Sequence, residues 1–133
     1  ADHAFTYALY PHAGDHVTGG VLQAGHALNV PLRVTPVEAH DGPLPRTTSF
    51  LSLDAPGVVV EAVKQAEEGP DVIVRLYEAA GRATEATLRC GFPVSTVAEV
   101  NLLEQSPQPL AVADGTVALS LRPFEIKTLR LKA

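Results

Sequence analysis

The strongest constraint in this chain is a period of two. In Asp71 to Glu78, Val72, Val74 and Leu76 share one face, while Arg75 and Tyr77 lie on the other. In Thr84 to Cys90, Ala86, Leu88 and Cys90 alternate with Glu85, Thr87 and Arg89. In Thr116 to Leu121, Val117, Leu119 and Leu121 alternate with Ala118 and Ser120. Successive side chains of a strand point to opposite faces, so each run specifies a strand with one face in a core. Half-buried strands of this kind belong to antiparallel sheets. Val58 to Val63 is apolar on both faces and predicts a strand in the middle of a sheet.

Turn signals separate the runs: Glu68-Gly69-Pro70-Asp71, Ala80-Gly81-Arg82, Gly91-Phe92-Pro93 and Asp114-Gly115. Asp114-Gly115, between Leu110-Ala111-Val112 and Val117-Ala118-Leu119, predicts a hairpin, because both residues tolerate the positive φ of a tight turn. In the last strand the apolar phase slips. Phe124 and Ile126 have one parity, Leu129 and Leu131 the other, so a β-bulge is expected near Lys127-Thr128. Phe5 to Tyr10 is a further β-rich run, ending at Pro11 and a polar turn. Gly20 to Leu28 carries a short helical stripe of Val21, Leu22, Ala24, Ala27 and Leu28, limited by Gly25 to a turn or two. Asp41 to Arg46 reads as an exposed loop. The expected fold is all-β: an antiparallel β-sandwich of about eight short strands with at most one short helix. With 133 residues and no internal repeat, 1–133 reads as a single β-sandwich domain.

Composition narrows the partners. The net charge is −5, and the ten Lys and Arg residues form no cluster, which argues against nucleic acid and anionic membranes. No apolar run approaches the roughly 20 residues of a membrane-spanning helix. Ala1-Asp2-His3 lacks the features of a signal peptide, and the chain has no Met, so a fragment or processed chain is expected. Cys90, the single cysteine, excludes an internal disulfide, and its alternation with Ala86 and Leu88 predicts a buried thiol. Neither Asn29 nor Asn101 sits in a glycosylation acceptor. These two features fit a reducing compartment, and the expected location is the bacterial cytoplasm.

The chemistry-bearing residues are sparse. All five histidines, His3, His12, His16, His26 and His40, precede residue 41. His12 and His16 flank Asp15 at a spacing that can hold zinc on a helix. Pro11 and Gly14 place them in a loop instead, and no Glu or Cys at a standard spacing completes a ligand set. No metal site is assigned. Glu67-Glu68 reads as a solvated face beside a turn. The fifteen carboxylates show no pair placed for acid–base work, and Ser49, Ser52 and Ser95 lack a nucleophile-elbow context. The glycines form no phosphate-binding fingerprint. Tyr7, Tyr10 and Tyr77 fit packing in a core or interface better than a sugar platform.

Several ordered segments resemble the C-terminal region of glycoside hydrolase family 38 α-mannosidases. Phe5 to Asp15 is similar to a strand of the form FxYAL running into a PHxG turn. Ala27 to Arg33 is similar to the "xLNxPL" stretch of that family. Ser49 to Leu53 and Val58 to Lys64 resemble a following pair of strands. Val74 to Gly81 resembles "vRLYEaxG", and Asn101 to Glu104 and Arg122 to Leu129 resemble the closing strands. The set covers nearly the whole chain and points to the bacterial and cytosolic branch.

The resemblance implies a C-terminal fragment of a larger glycosidase, whose N-terminal α/β domain hydrolyses α-mannosides with retention. That missing domain would carry an aspartate nucleophile and a zinc held by His and Asp. No motif here matches those residues, so no catalytic residue and no cofactor is assigned to this chain. The implied partners are its own N-terminal catalytic domain and neighbouring copies in a homo-oligomer, with mannosides met only through the parent enzyme. His12, Gly14 and Asp15 are the candidate substrate or domain-interface loop. Asp15 agrees with the acidic residue common after this Gly in the family, whereas His16 stands where many relatives carry an aromatic. The alternatives are a carbohydrate-binding module and a free-standing interaction domain.

Overall fold

The computed structural model describes residues 2–39 and 41–133; Ala1 and His40 lie outside the described residues. The chain divides into two compact units, Ala1–Asp41 and Gly42–Ala133.

The second unit holds eight strands: β1 Leu51–Leu53, β2 Val58–Gln65, β3 Val72–Glu78, β4 Thr84–Cys90, β5 Thr96–Val100, β6 Gln108–Leu110, β7 Thr116–Leu121 and β8 Ile126–Lys132. They form a three-stranded sheet in the order β1-β4-β7 and a five-stranded sheet in the order β2-β3-β8-β5-β6. Every pairing is antiparallel. The expected β-sandwich is therefore present, with its strands confined to the second unit.

The period of two builds the core. Ala86, Leu88 and Cys90 of β4 and Val117, Leu119 and Leu121 of β7 project from the small sheet. Val58, Val74, Leu76, Val97, Leu129 and Leu131 meet them from the large one. Leu76, Leu88, Leu129 and Leu131 are completely buried, and each such side chain contributes about 1.5–3 kcal/mol on leaving water.

Three expectations about the strands of the sandwich need correction. First, β2 is an edge strand, not a central one. Val58 is buried, but Val63 is exposed. The register shifts between Val60 and Ala62, leaving Glu61 as a bulge. A bulge and charged residues on an edge discourage pairing with other chains. Second, β8 has no bulge: Tyr77↔Ile126 through Val72↔Leu131 is one unbroken register with β3. Phe124 and Ile126 are exposed instead, so the phase slip marks a change from solvent to core. Third, Asp114-Gly115 is a tight turn, with φ of 49° and 70°, but not the tip of a two-strand hairpin. Ala113 and Thr116 exchange backbone hydrogen bonds of 3.0 and 2.8 Å across it. Beyond that bridge β6 pairs with β5 and β7 with β4, so the turn joins the two sheets. For β7 the seven-residue β4 is a longer partner than the three-residue β6 could be.

The 101–106 loop is tied to the large sheet through Arg75 and Lys64. Asn101 Oδ1 accepts the N–H groups of Leu103 and Gln105, both at 2.9 Å. Arg75 donates Nε to Thr128 Oγ1 at 3.2 Å and Nη2 to the Leu102 carbonyl at 3.3 Å. Lys64 pairs with Glu104 at 2.8 Å and also binds Glu67. Glu67 and Glu68 are both exposed, in line with the expected solvated face, and Glu67 pairs there with Lys64.

The first unit contains helix α1, Val21–Asn29, nine residues where a turn or two was expected. Its end is closed by Val30 N–H donating to the His26 carbonyl and by Asn29 Nδ2 donating to the Gly25 carbonyl, both at 2.8 Å. Phe5 to Tyr10, read as a strand, joins no ladder among the described residues. None of the described residues of this unit is buried. No helix of the chain is long and apolar enough to cross a membrane among the described residues.

Candidate functional site

The turn singled out in the sequence is built around Asp15. Its Oδ1 accepts the N–H groups of Val17 at 3.0 Å and Thr18 at 2.8 Å, and the Thr18 hydroxyl at 2.9 Å. Its carbonyl accepts Gly19 N–H at 2.8 Å. The bonds from Thr18 hold the Asp15 carboxyl below its ordinary value, with Val17 and His16 adding to the effect. Gly14 has φ of 77°, and a Cβ there would lie 2.5 Å from Thr18 Oγ1. Only glycine fits such a left-handed, crowded position without strain. The His12 ring lies so close over Gly19 that a Cβ at Gly19 would come 2.2 Å from Nδ1. Tyr10 stacks on His12 with ring centroids 6.0 Å apart.

His12, Gly14 and Asp15 lie together at one turn. Asp15 is spent on holding that turn, while His12 forms one wall of it. His16 contributes its carbonyl to Val21 N–H at 3.1 Å, and His26 lies in the last turn of α1. No group of three His, Cys, Asp or Glu residues is placed to hold a metal ion among the described residues.

Beside this turn α1 and the N-terminal arm enclose an apolar groove of about 500 Å³, lined by Ala8, Leu9, Tyr10, Val21, Ala24 and Leu28 among others. The arm presents Phe5, Tyr7 and Leu9 to solvent at 81, 83 and 95 % exposure. After the helix, Val30, Leu32 and Val34 are exposed at 70, 96 and 89 %. Tyr7 and Tyr10 thus do not reach a core within the described residues, whereas Tyr77 is half-buried on β3.

In the second unit the notable group is Glu78, absent from the sequence candidates. It is 1 % exposed and has no cationic partner among the described residues. Its two oxygens accept four backbone N–H groups: Ala80 and Gly81 at 2.8 Å, Phe124 at 3.1 Å and Arg82 at 3.3 Å. Burial pushes its carboxyl up, but these N–H groups together outweigh burial and hold it below its ordinary value. The signal lay in the period of two: Glu78 continues the inward parity of Val74 and Leu76, and a Gly follows three residues later.

The other half-buried carboxylates are also engaged. Asp71 pairs with Arg130 at 2.7 Å, Glu99 with Lys127 at 2.7 Å, Glu104 with Lys64 at 2.8 Å and Glu125 with Arg122 at 2.7 Å. The exposed Asp54 accepts Thr87 N–H at 2.7 Å, a bond that holds its carboxyl below the ordinary value. Ser95 donates to the Lys132 carbonyl at 3.0 Å. Cys90 is buried as expected, and burial pushes its thiol up. It borders a shallow concavity of about 650 Å³ with Phe92, Val94 and Asp114, too open to enclose a ligand.

Known proteins resemble this chain along almost all of it. It is 40% identical to human alpha-mannosidase 2C1 over 97% of the chain and 38% identical to the Mus musculus protein of that name, also over 97%. It is 31% identical to alpha-mannosidase G of Dictyostelium discoideum over 96% of the chain. The chain spans only 12–13% of the length of these relatives, which are eukaryotic proteins. Residues 57–129, from the start of β2 into β8, match the glycosyl hydrolases family 38 C-terminal beta sandwich domain. The chain belongs to that family of C-terminal β-sandwich domains.

Proposed function

We propose that this chain is the non-catalytic C-terminal domain of a retaining, zinc-dependent α-mannosidase, and that it supports the catalytic part structurally. One observation carries the non-catalytic reading. The carboxylates withdrawn from solvent, Asp71, Glu78, Glu99, Glu104 and Glu125, are all committed to cations or backbone N–H groups. Glycoside hydrolysis uses two carboxyl groups facing one substrate, one of them free to hold and release a proton. A carboxylate locked by several N–H donors is held ionised and cannot serve as that acid. The zinc belongs, in this reading, to the catalytic part, and no residue here is given a role toward it.

The test is direct. The purified 133-residue chain, free of host enzyme and folded by circular dichroism, is assayed with an aryl α-mannoside. No turnover is expected, and turnover would overturn the proposal. The lone cysteine and the lack of glycosylation acceptors support a cytoplasmic parent enzyme.

The loop of His12, Gly14 and Asp15 is proposed to line the contact with the catalytic part or its substrate entrance, since loops on a fixed scaffold often carry function. In the full-length enzyme, His12→Ala is expected to raise KM or weaken domain association. Unchanged kinetics and stability would remove this role. A second reading, carbohydrate binding, is favoured by the exposed Phe5 and Tyr7 rings, 6.3 Å apart. Calorimetry without heat at millimolar mannose would exclude it.

A further inference from the structure

The first unit is a set of amphipathic pieces without a core. The segment after α1 alternates Val30, Leu32 and Val34 with Pro31, Arg33 and Thr35. This is the pattern of a half-buried strand, yet Leu32 and Val34 are 96 and 89 % exposed. The arm alternates Phe5, Tyr7 and Leu9 with Thr6, Ala8 and Tyr10 and is as open. Among the described residues no backbone hydrogen bond engages 5–10 or 31–37. Exposed apolar side chains and unpaired backbone on the same segments mark a strand without its sheet.

The prolines fix how the second segment can pair. In a strand the N–H and C=O of residues i and i+2 point to the same side. Pro31 has no N–H, so the side it shares with Arg33 and Thr35 makes a poor ladder. The other side carries Leu32 and Val34, while the Val30 N–H already closes α1 on His26. Pro36 has the same parity as Leu32 and Val34 and ends that ladder. The segment is thus built to add at one edge only, and to end its sheet. No proline interrupts 5–10, so the arm can pair on both sides.

We infer that 5–10 and 31–35 are added strands of a sheet in the preceding part of the same polypeptide, with 31–35 outermost and joined through Leu32 and Val34. This rests on the reading that the chain is the C-terminal domain of a longer enzyme. The chain makes up 13% of its human relative, leaving 87% of such a polypeptide to supply the sheet. A partner tethered in the same chain acts at an effective concentration of about millimolar, which favours it over a second copy.

Hydrogen exchange at single-residue resolution tests this on the full-length enzyme, with the isolated 133-residue chain for comparison. The amides of Val74 and Leu129 report that the sandwich is folded in both. The expected result in the full-length enzyme is an alternation: Leu32 and Val34 slowed about 100-fold relative to Arg33 and Thr35, and Thr6 to Tyr10 slow throughout. In the isolated chain all of them exchange fast. Fast exchange of Leu32 and Val34 in the full-length enzyme overturns the inference. So does slow exchange in the isolated chain, whether at every dilution, which means a partner within the 133 residues, or only when concentrated, which means a second copy. Slow exchange at Arg33 as well as Leu32 overturns the outermost position. The mannoside assay on the isolated chain decides the underlying reading separately.

Discussion

Phe124 donates its backbone N–H to Glu78 Oε2 at 3.1 Å across 46 residues of sequence, and its ring covers Gly81. One buried carboxylate thereby ties the β3–β4 turn to the β7–β8 turn. The bond also sustains a left-handed Phe124, at φ of 59°, that most side chains avoid. The sandwich gains a rigid corner, and Phe124 stands 72 % exposed on it.

Removing this carboxylate leaves buried N–H groups without acceptors. Glu78→Ala is expected to destabilise the domain by about 2–4 kcal/mol, with Glu78→Gln costing less because one acceptor oxygen remains. Urea unfolding of the isolated chain measures both. A loss below about 0.5 kcal/mol for the alanine variant would contradict the pinning role.

The same group makes stability depend on acid. The Glu78 carboxyl is held below its ordinary 4.5, so the unfolded chain binds its proton at a higher pH than the folded one. Its contribution is present above that unfolded value and is lost as pH falls through the lower folded value. Asp15, Asp54, Glu104 and Glu125 shift in the same direction and add to the slope. Melting temperatures taken downward from pH 4.5 should fall, and fall less steeply in Glu78→Gln.

Gly81 tests the steric side of the corner. It has φ of 70°, and a Cβ would lie 2.7 Å from the Phe124 ring. Gly81→Ala is expected to cost about 1–2 kcal/mol from the left-handed backbone, with ring displacement added. In the double variant with Phe124→Ala the ring part disappears and the backbone part remains. A thermodynamic cycle showing strict additivity would rule out the contact.

Cys90 offers a probe of the core. Its thiol is buried and pushed up, so a disulfide reagent should modify it slowly in the folded chain and at once in denaturant. Rapid labelling of the native protein would mean that β4 opens locally.

Much of the fold was legible because alternation encodes a face directly. Val74, Leu88, Leu119 and Leu121 face inward as their spacing demands, and Asp114-Gly115 makes the tight turn its residue types favour. The helix was legible too, since Val21, Ala24 and Leu28 repeat at helical spacing. The candidate turn was legible as a place. The work of Asp15 within it was not, because the N–H groups it accepts belong to a backbone path that sequence does not print.

The sequence by itself determined the element type and inward residues of most strands, because side-chain parity is a local property of extended backbone. Only the tertiary structure decided which strands are neighbours. It placed β2 at an edge, sent β6 and β7 to opposite sheets, and brought Phe124 to Glu78. Strand order and long-range hydrogen bonds depend on how several faces pack at once, and no single run of residues carries that information.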